Sequence, residues 1–124
     1  MRGVLFLAAG GLCGTFARYF LTGAVNRIAG SGHFPYGTLV VNLTGCLIVG
    51  FLSAWSEHKI PLSSEARLFW IVGLLGAFTT FSSLIYESGR LIQNSQLLPA
   101  FLNLQGSLAL GLLAFGLGRL LVTR

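Results

Sequence analysis

Charged residues are scarce in this chain, where they make up 9% of 124 residues, and only three of them are acidic. Glu57, Glu65 and Glu87 each lie at the end of a predicted loop, so no pair of buried carboxylates is available for acid–base catalysis. The sequence also lacks a zinc-binding HExxH motif, a GxSxG nucleophile motif and a phosphate-binding GxxxxGK loop. We therefore expect that the protein is not an enzyme.

Cysteine chemistry and nucleic-acid binding find no support either. Cys13 and Cys46 lie within apolar runs, and their spacing fits no metal motif. The net charge is +5, but the basic residues occur singly, which suits anchoring at a membrane surface better than nucleic-acid recognition. We expect no nucleic-acid partner.

Apolar residues, in contrast, are abundant: 54% of the chain is hydrophobic and its mean hydropathy is +0.80. A soluble domain of this length could not bury so much apolar surface. Four runs approach the roughly 20 residues that a helix needs to cross a bilayer. They extend from about Val4 to Leu21, Gly37 to Trp55, Leu68 to Tyr86 and Leu98 to Leu121. The sequence predicts an all-α integral membrane protein with a single four-helix transmembrane domain over residues 1–124.

The ends of the spans give little information on orientation. The first run lacks a small-residue cleavage site, so we interpret it as a retained span and not as a signal peptide. We place loops at Arg27 to Tyr36, Glu57 to Arg67 and Glu87 to Gln96, with His33 and His58 in loops and Ser63 to Glu65 starting a helix. One side then holds five basic residues and the other two or three, a bias too small to fix the orientation.

Small and polar residues recur along one face of three spans. The stripes are Gly10, Gly14 and Arg18 in the first span, Thr38, Asn42, Gly45 or Cys46, and Ser53 in the second, and Asn103, Ser107, Gly111, Ala114 and Gly118 in the fourth. Such stripes let helices approach closely in lipid. Four tightly packed helices leave no aqueous path within one copy, so transport would run along a groove that a second copy closes. We expect an oligomer.

The third span is rich in glycine and hydroxyl groups near its middle. Residues 73–83 read GLLGAFTTFSS, with two glycines and four hydroxyl side chains. Because lipid cannot satisfy backbone groups freed from a helix, such a segment is tolerated only where it lines a cavity, a pore or a protein contact. The sequence predicts a polar break here, and this break is a candidate functional site.

The polar groups of the predicted spans suit a small anion better than a cation. These spans contain no Asp or Glu, and they offer Thr, Ser and Asn donors and the positive edges of phenylalanine rings. We select Phe81 as the ring beside the break. Asn42 lies one turn after Thr38 and is equally suited to donating a hydrogen bond to an anion and to forming an interhelical hydrogen bond. For Asn103 we favour the interhelical bond. Arg18 suits a structural or vestibular role.

Three ordered motifs resemble those of the CrcB/Fluc fluoride channels. They are GGLCGTFARY at residues 10–19, FPYGTLVVNLTG at residues 34–45, and GAFTTFSS at residues 76–83 followed by Glu87. The resemblance covers the first three spans by these motifs and the fourth by its Ser107 stripe. It implies a fluoride-selective ion channel in the cell inner (plasma) membrane that exports cytoplasmic fluoride passively.

The resemblance also implies an assembly. Family members form a dual-topology antiparallel homodimer with two antiparallel fluoride pores at the subunit interface. The third-span breaks of the two copies cross near the bilayer midplane. There, backbone carbonyls matching Gly76 and Thr79 hold a structural sodium ion.

Position in the motifs assigns candidate pore residues. Asn42 and Phe81 match an asparagine and the first phenylalanine of the family pore. The family's second phenylalanine is Leu84 here, and a hydroxyl residue common one turn after Ser107 is Gly111. The predicted fluoride pore comprises Thr38, Asn42, Phe81, Ser82, Leu84 and Ser107, with Arg18 in a vestibule or structural role.

Two other functions are weighed against a channel. A small dual-topology multidrug exporter needs a membrane-embedded carboxylate to exchange protons for cations, and the first span has none. A membrane assembly protein without transport activity would explain the glycines but not the polar break.

Overall fold

The computed structural model describes residues 1–30, 32 and 34–124; Ser31 and His33, and with them the predicted loop position of His33, lie outside the described residues. All regular secondary structure in this described part of the chain is helical. Four segments are long and apolar enough to cross a membrane. We name them the first to fourth spans: Arg2–Ala29, Tyr36–His58, the interrupted Ser64–Gln93 and Leu97–Thr123.

The observed spans contain all four predicted runs and extend each of them at both ends. Polar residues such as Arg27 and Arg90 continue the helices, because a charged side chain at the membrane surface can reach water while its backbone stays helical. The predicted loop from Glu87 to Gln96 was therefore too long, since the helix continues to Gln93. The predicted helix start is confirmed at Ser63, whose hydroxyl accepts a hydrogen bond from the Ala66 N–H at 3.2 Å.

Glycines bring the spans into backbone contact in pairs. Gly10 and Gly14 of the first span are buried against the third span, where an added Cβ would overlap the carbonyls of Phe69 and Leu74. Gly118 of the fourth span lies in the same way against the second span. Because lipid gives helices no hydrophobic reason to associate, such close packing is what joins them.

A charged contact also joins the second and fourth spans at one membrane surface. The guanidinium of Arg119 donates to both carboxylate oxygens of Glu57, at 3.1 and 2.7 Å, and to the Ser53 hydroxyl at 3.3 Å. Glu57 is half exposed, so this pair adds modest stability.

The third span departs from a regular helix along its first half. Its first turn, Ser64–Arg67, is α-helical, Leu68–Leu75 is a π-helix, and Gly76–Phe78 is one further α-turn. Gly73 lies inside the π-helix, where an added Cβ would lie 2.7 Å from the Leu7 carbonyl oxygen of the first span. The π-helix thus lies where the backbones of the first and third spans approach each other. Departures of this kind from a regular α-helix are typical of strained or functional segments.

Candidate functional site

The third span is interrupted at Thr79 and Thr80, inside the glycine- and hydroxyl-rich stretch. Both residues are extended, with φ/ψ of −84°/155° and −151°/118°, and a new helix, Phe81–Gln93, begins directly after them. We call this second helix the half-helix. The Thr80 hydroxyl accepts from the Ser83 N–H at 3.2 Å and so caps it. Because the helix ends at Phe78, the last carbonyls of the Gly76–Phe78 turn lack the N–H groups that a continuing helix would supply and need partners from elsewhere.

Asn42 of the second span holds the interruption in place. Its carboxamide oxygen accepts from the Thr80 N–H at 2.8 Å, and its amide nitrogen donates to the Thr80 carbonyl at 3.1 Å. The side chain thus replaces the hydrogen bond that the Thr80 N–H would make in a continuous helix, and it adds a second donor to the Thr80 carbonyl, which as N-cap also accepts the first hydrogen bond of the half-helix. One amide hydrogen of Asn42 is left for another acceptor. Of the two roles predicted for Asn42, the interhelical hydrogen bond is therefore present.

One face of the interruption opens into a groove of about 380 Å³. We call it the break groove. It brings together predicted site residues from two spans, and its lining includes Asn42, Gly45, Cys46, Gly76, Thr79, Thr80, Phe81 and Leu84. Phe81 is 75% exposed, whereas Leu84 is 8% exposed and forms part of the wall.

A second, larger groove of about 850 Å³ lies between the first span and the half-helix. We call it the vestibule groove. Its polar lining consists of Thr15, Arg18, Tyr19, Thr22, Arg27, Thr38, Thr80, Ser83 and Glu87. With two arginines and one carboxylate the balance of formal charge is positive, which attracts anions. Thr80 lines both grooves, so they adjoin at the residue that Asn42 holds.

Thr38 and Glu87 form a pair within the vestibule groove. The Thr38 hydroxyl, in a residue only 5% exposed, donates to Glu87 Oε1 at 2.6 Å. Glu87 Oε2 is buried and has no hydrogen-bond partner in the described part of the chain. Two expectations are corrected here. Glu87 does not lie at a loop end, because the helix continues to Gln93, and the third span as observed does contain acidic side chains, Glu65 and Glu87.

Ser82 and Ser107 lie outside both grooves. Ser82 is exposed, with its hydroxyl 3.2 Å from that of Thr80, and Ser107 is half-buried on the fourth span. The Ser107 hydroxyl is buried with no partner among the described residues. Nearby, fully buried Asn103 donates to the Ser88 hydroxyl at 2.9 Å, as the interhelical interpretation predicts.

Sequence reasoning missed the part that Thr80 and Glu87 play in these grooves. Thr80 was predicted only as one hydroxyl of the break, and its backbone, not its side chain, is what Asn42 binds. Glu87 lies four residues after Ser83, so both fall on one helix face, and this spacing is a signal that could have placed Glu87 beside the break.

Comparison with known proteins gives consistent matches over nearly the whole chain. Three proteins named "Fluoride-specific ion channel FluC" or "FluC 1" are similar to it. The protein from Desulforapulum autotrophicum is 46% identical, covering 94% of this chain and 96% of its own. That from Chlorobaculum tepidum is 44% identical, with coverages of 98% and 94%. That from Moorella thermoacetica is 42% identical, with coverages of 92% and 81%.

A family profile also matches nearly the whole chain. The profile described as "CrcB-like protein, Camphor Resistance (CrcB)" matches residues 5–119, which include most of all four spans and both grooves. The chain therefore belongs to the CrcB family.

Proposed function

We propose that this protein is a fluoride-selective channel through which cytoplasmic fluoride leaves the cell passively across the inner (plasma) membrane. The observation that carries the proposal is membership of the CrcB family, together with relatives of 42–46% identity that bear the name fluoride-specific ion channel. A negative cell interior favours expulsion of an anion by about 2.3 kcal/mol per charge per 100 mV, so no energy-coupling machinery is needed.

The chemistry of the two grooves supports an anion path that passes Thr80. Arg18 and Arg27 in the vestibule groove would concentrate anions, and Asn42 and Phe81 in the break groove offer an amide hydrogen and ring edges. In this proposal fluoride exchanges its hydration shell for those donors as it passes the interruption. Leu84 in the wall of the break groove, Ser82 next to Thr80, and Ser107 on the fourth span complete the proposed pore.

A second copy would close this path, and we propose an antiparallel homodimer with two pores at its interface. Phe81 is 75% exposed, and both grooves are open along one side of a single chain. These openings support the proposal that a second copy supplies the missing wall of each groove. In a cysteine-free background, one cysteine introduced at Lys59 should react with impermeant reagents from both sides of the membrane. Labelling from one side only would contradict the antiparallel arrangement.

We further propose that backbone carbonyls of Gly76 and Thr79 hold a structural sodium ion shared by the two copies. The carbonyls at the end of the Gly76–Phe78 turn need partners from outside their helix, and oxygen ligands suit a hard cation. A bound cation would supply fixed positive charge beside the proposed pores. Replacing sodium by larger monovalent cations should weaken dimer stability and fluoride flux, and an unchanged dimer and flux would contradict this site.

Fluoride and chloride efflux from liposomes containing the purified protein tests the proposed function directly. We expect rapid fluoride efflux that needs no proton gradient, and chloride efflux near that of empty liposomes. A multidrug exporter is the competing function, since Glu87 provides a carboxylate within the third span. Proton-coupled uptake of organic cations without fluoride efflux would favour the exporter.

A further inference from the structure

The membrane surface where the first and third spans begin carries a groove that the proposed pore does not use. Its outer part, of about 790 Å³, is lined by Arg2, Ser63, Glu65 and Trp70 and by three apolar residues, among them Phe6 and Phe69. An adjoining part of about 350 Å³ is lined by Arg2 and otherwise by apolar side chains: Leu5, Phe6, Ala9 and Phe69. Since Arg2, Phe6 and Phe69 line both parts, the two form one groove with a charged outer end and an apolar inner end.

The outer end presents groups that suit a phosphate. In the described part of the chain, Arg2 makes no ion pair and no side-chain hydrogen bond, so its planar guanidinium is free to bind a phosphate through two N–H groups. The Ser63 oxygen accepts from the Ala66 N–H, which leaves the hydroxyl hydrogen to donate. Trp70 is 44% exposed, and tryptophan side chains are enriched at the level of lipid headgroups. The negative charge of Glu65, which also lines the groove, disfavours a ligand with more than one negative charge.

The inner end suits a hydrocarbon chain. Leu5, Phe6 and Ala9 follow the first span from its start at Arg2 into the membrane, and Phe69 faces them from the third span. A ligand here must therefore combine one negative charge at the surface with an apolar tail directed inward. We propose that this groove binds an anionic phospholipid with a monoanionic phosphodiester, its phosphate on Arg2 and an acyl chain along Phe6 and Phe69. This inference is independent of the proposed function.

The two tryptophans of the chain provide a matched pair of reporters for this site. Trp70 lines the groove, whereas Trp55 lies near the end of the second span, at the same membrane surface but outside the groove. Trp55→Phe leaves Trp70 as the single tryptophan fluorophore, and Trp70→Phe leaves Trp55. The protein is reconstituted in phosphatidylcholine vesicles with increasing fractions of brominated phosphatidylglycerol or, separately, brominated phosphatidylcholine. Quenching of fluorescence then measures the relative affinity of each lipid near each reporter.

We expect Trp70 to be quenched preferentially by brominated phosphatidylglycerol, with about fivefold higher relative affinity, which corresponds to about 1 kcal/mol for one arginine near the surface. Trp55 should show no such preference. Arg2→Gln should abolish the preference at Trp70, whereas Arg124→Gln, which changes the net charge equally outside the groove, should preserve it.

Three outcomes would overturn the proposal. Equal quenching of Trp70 by both lipids, or a preference that survives Arg2→Gln, would show that the groove does not select an anionic headgroup. Protection of Trp70 from every brominated lipid would show that protein, such as a second copy of the chain, covers the groove. Circular dichroism and size-exclusion profiles of the variants confirm that a lost preference does not reflect unfolding.

Discussion

The two halves of the third span are held by different forces. The first half, residues 64–78, lies against the first span with its backbone so close that Gly10 and Gly14 leave no space for a Cβ. The half-helix Phe81–Gln93 buries two leucines and is also held by polar contacts: Thr38 binds Glu87, Asn103 binds Ser88, and Asn42 binds Thr80 just before its start.

This difference suggests how one span combines rigidity with polarity. Close backbone packing fixes the first half without any polar side chain, and it brings the interruption to a defined depth. The polar groups after the interruption are then positioned by partners on other spans. Several of them line the vestibule groove, whereas the break groove lies at the interruption and also borders Gly76 of the first half. We expect changes in the first half to affect assembly and changes around the half-helix to affect flux.

The largest effect should come from breaking the first half with Gly14→Ala. The new methyl group would overlap the Leu74 carbonyl, so we expect a stability loss of about 3 kcal/mol, at the upper end for overpacking. Thermal unfolding in detergent and size-exclusion chromatography measure it. Gly11→Ala is the control, because a methyl group there meets no heavy atom within 4 Å. Equal behaviour of the two variants would contradict the packing argument.

Asn42→Ala should lower fluoride efflux about tenfold or more. It removes both hydrogen bonds to Thr80 and leaves the Thr80 N–H unsatisfied, which costs about 1–3 kcal/mol where water cannot replace the partner. Asn26→Ala is the matched control, since Asn26 also binds a backbone N–H, that of Gly37, but lines neither groove. If both variants lose efflux equally, the loss reflects general destabilisation and not the interruption.

Thr38→Val should lower efflux by a smaller factor, about fivefold. The valine keeps the shape but removes the hydrogen bond from the Thr38 hydroxyl to the Glu87 carboxylate, which is worth about 1 kcal/mol or more. Thr38→Ser retains a hydroxyl and should restore most of the efflux. Equal efflux from the serine and valine variants would show that packing, and not the hydrogen bond, matters at this position.

Leu84→Phe should have the smallest effect. Leu84 forms a wall of the break groove, whose open space can accommodate the larger phenylalanine side chain. We therefore expect a stability change within about 1 kcal/mol and nearly unchanged efflux. A loss of assembly would instead show that this wall is already tightly packed. The same liposome assay and size-exclusion profile measure both quantities.

The sequence predicted the four spans because hydrophobic runs of this length are typical of helices that cross a bilayer, and the four-residue spacing of Gly10 and Gly14 indicated a packed face. It could not predict how far each helix continues into polar residues such as Glu87, which is followed by helix up to Gln93. The Asn42–Thr80 contact joins residues 38 positions apart, and no local pattern distinguishes an asparagine that binds a backbone from one that binds an ion. The pore roles of Phe81, Asn42, Thr38, Ser82, Ser107 and Leu84 all stay predictions.

Fluoride efflux from liposomes containing Phe81→Leu is the most direct test of the claim that an anion passes the interruption beside this ring. Phe16→Leu is the matched control, since Phe16 is also largely exposed, at 59%, but lines neither groove. We predict a severe loss of efflux for Phe81→Leu alone, with both variants eluting as the wild-type assembly does. Near-normal efflux from a well-assembled Phe81→Leu protein would contradict the account.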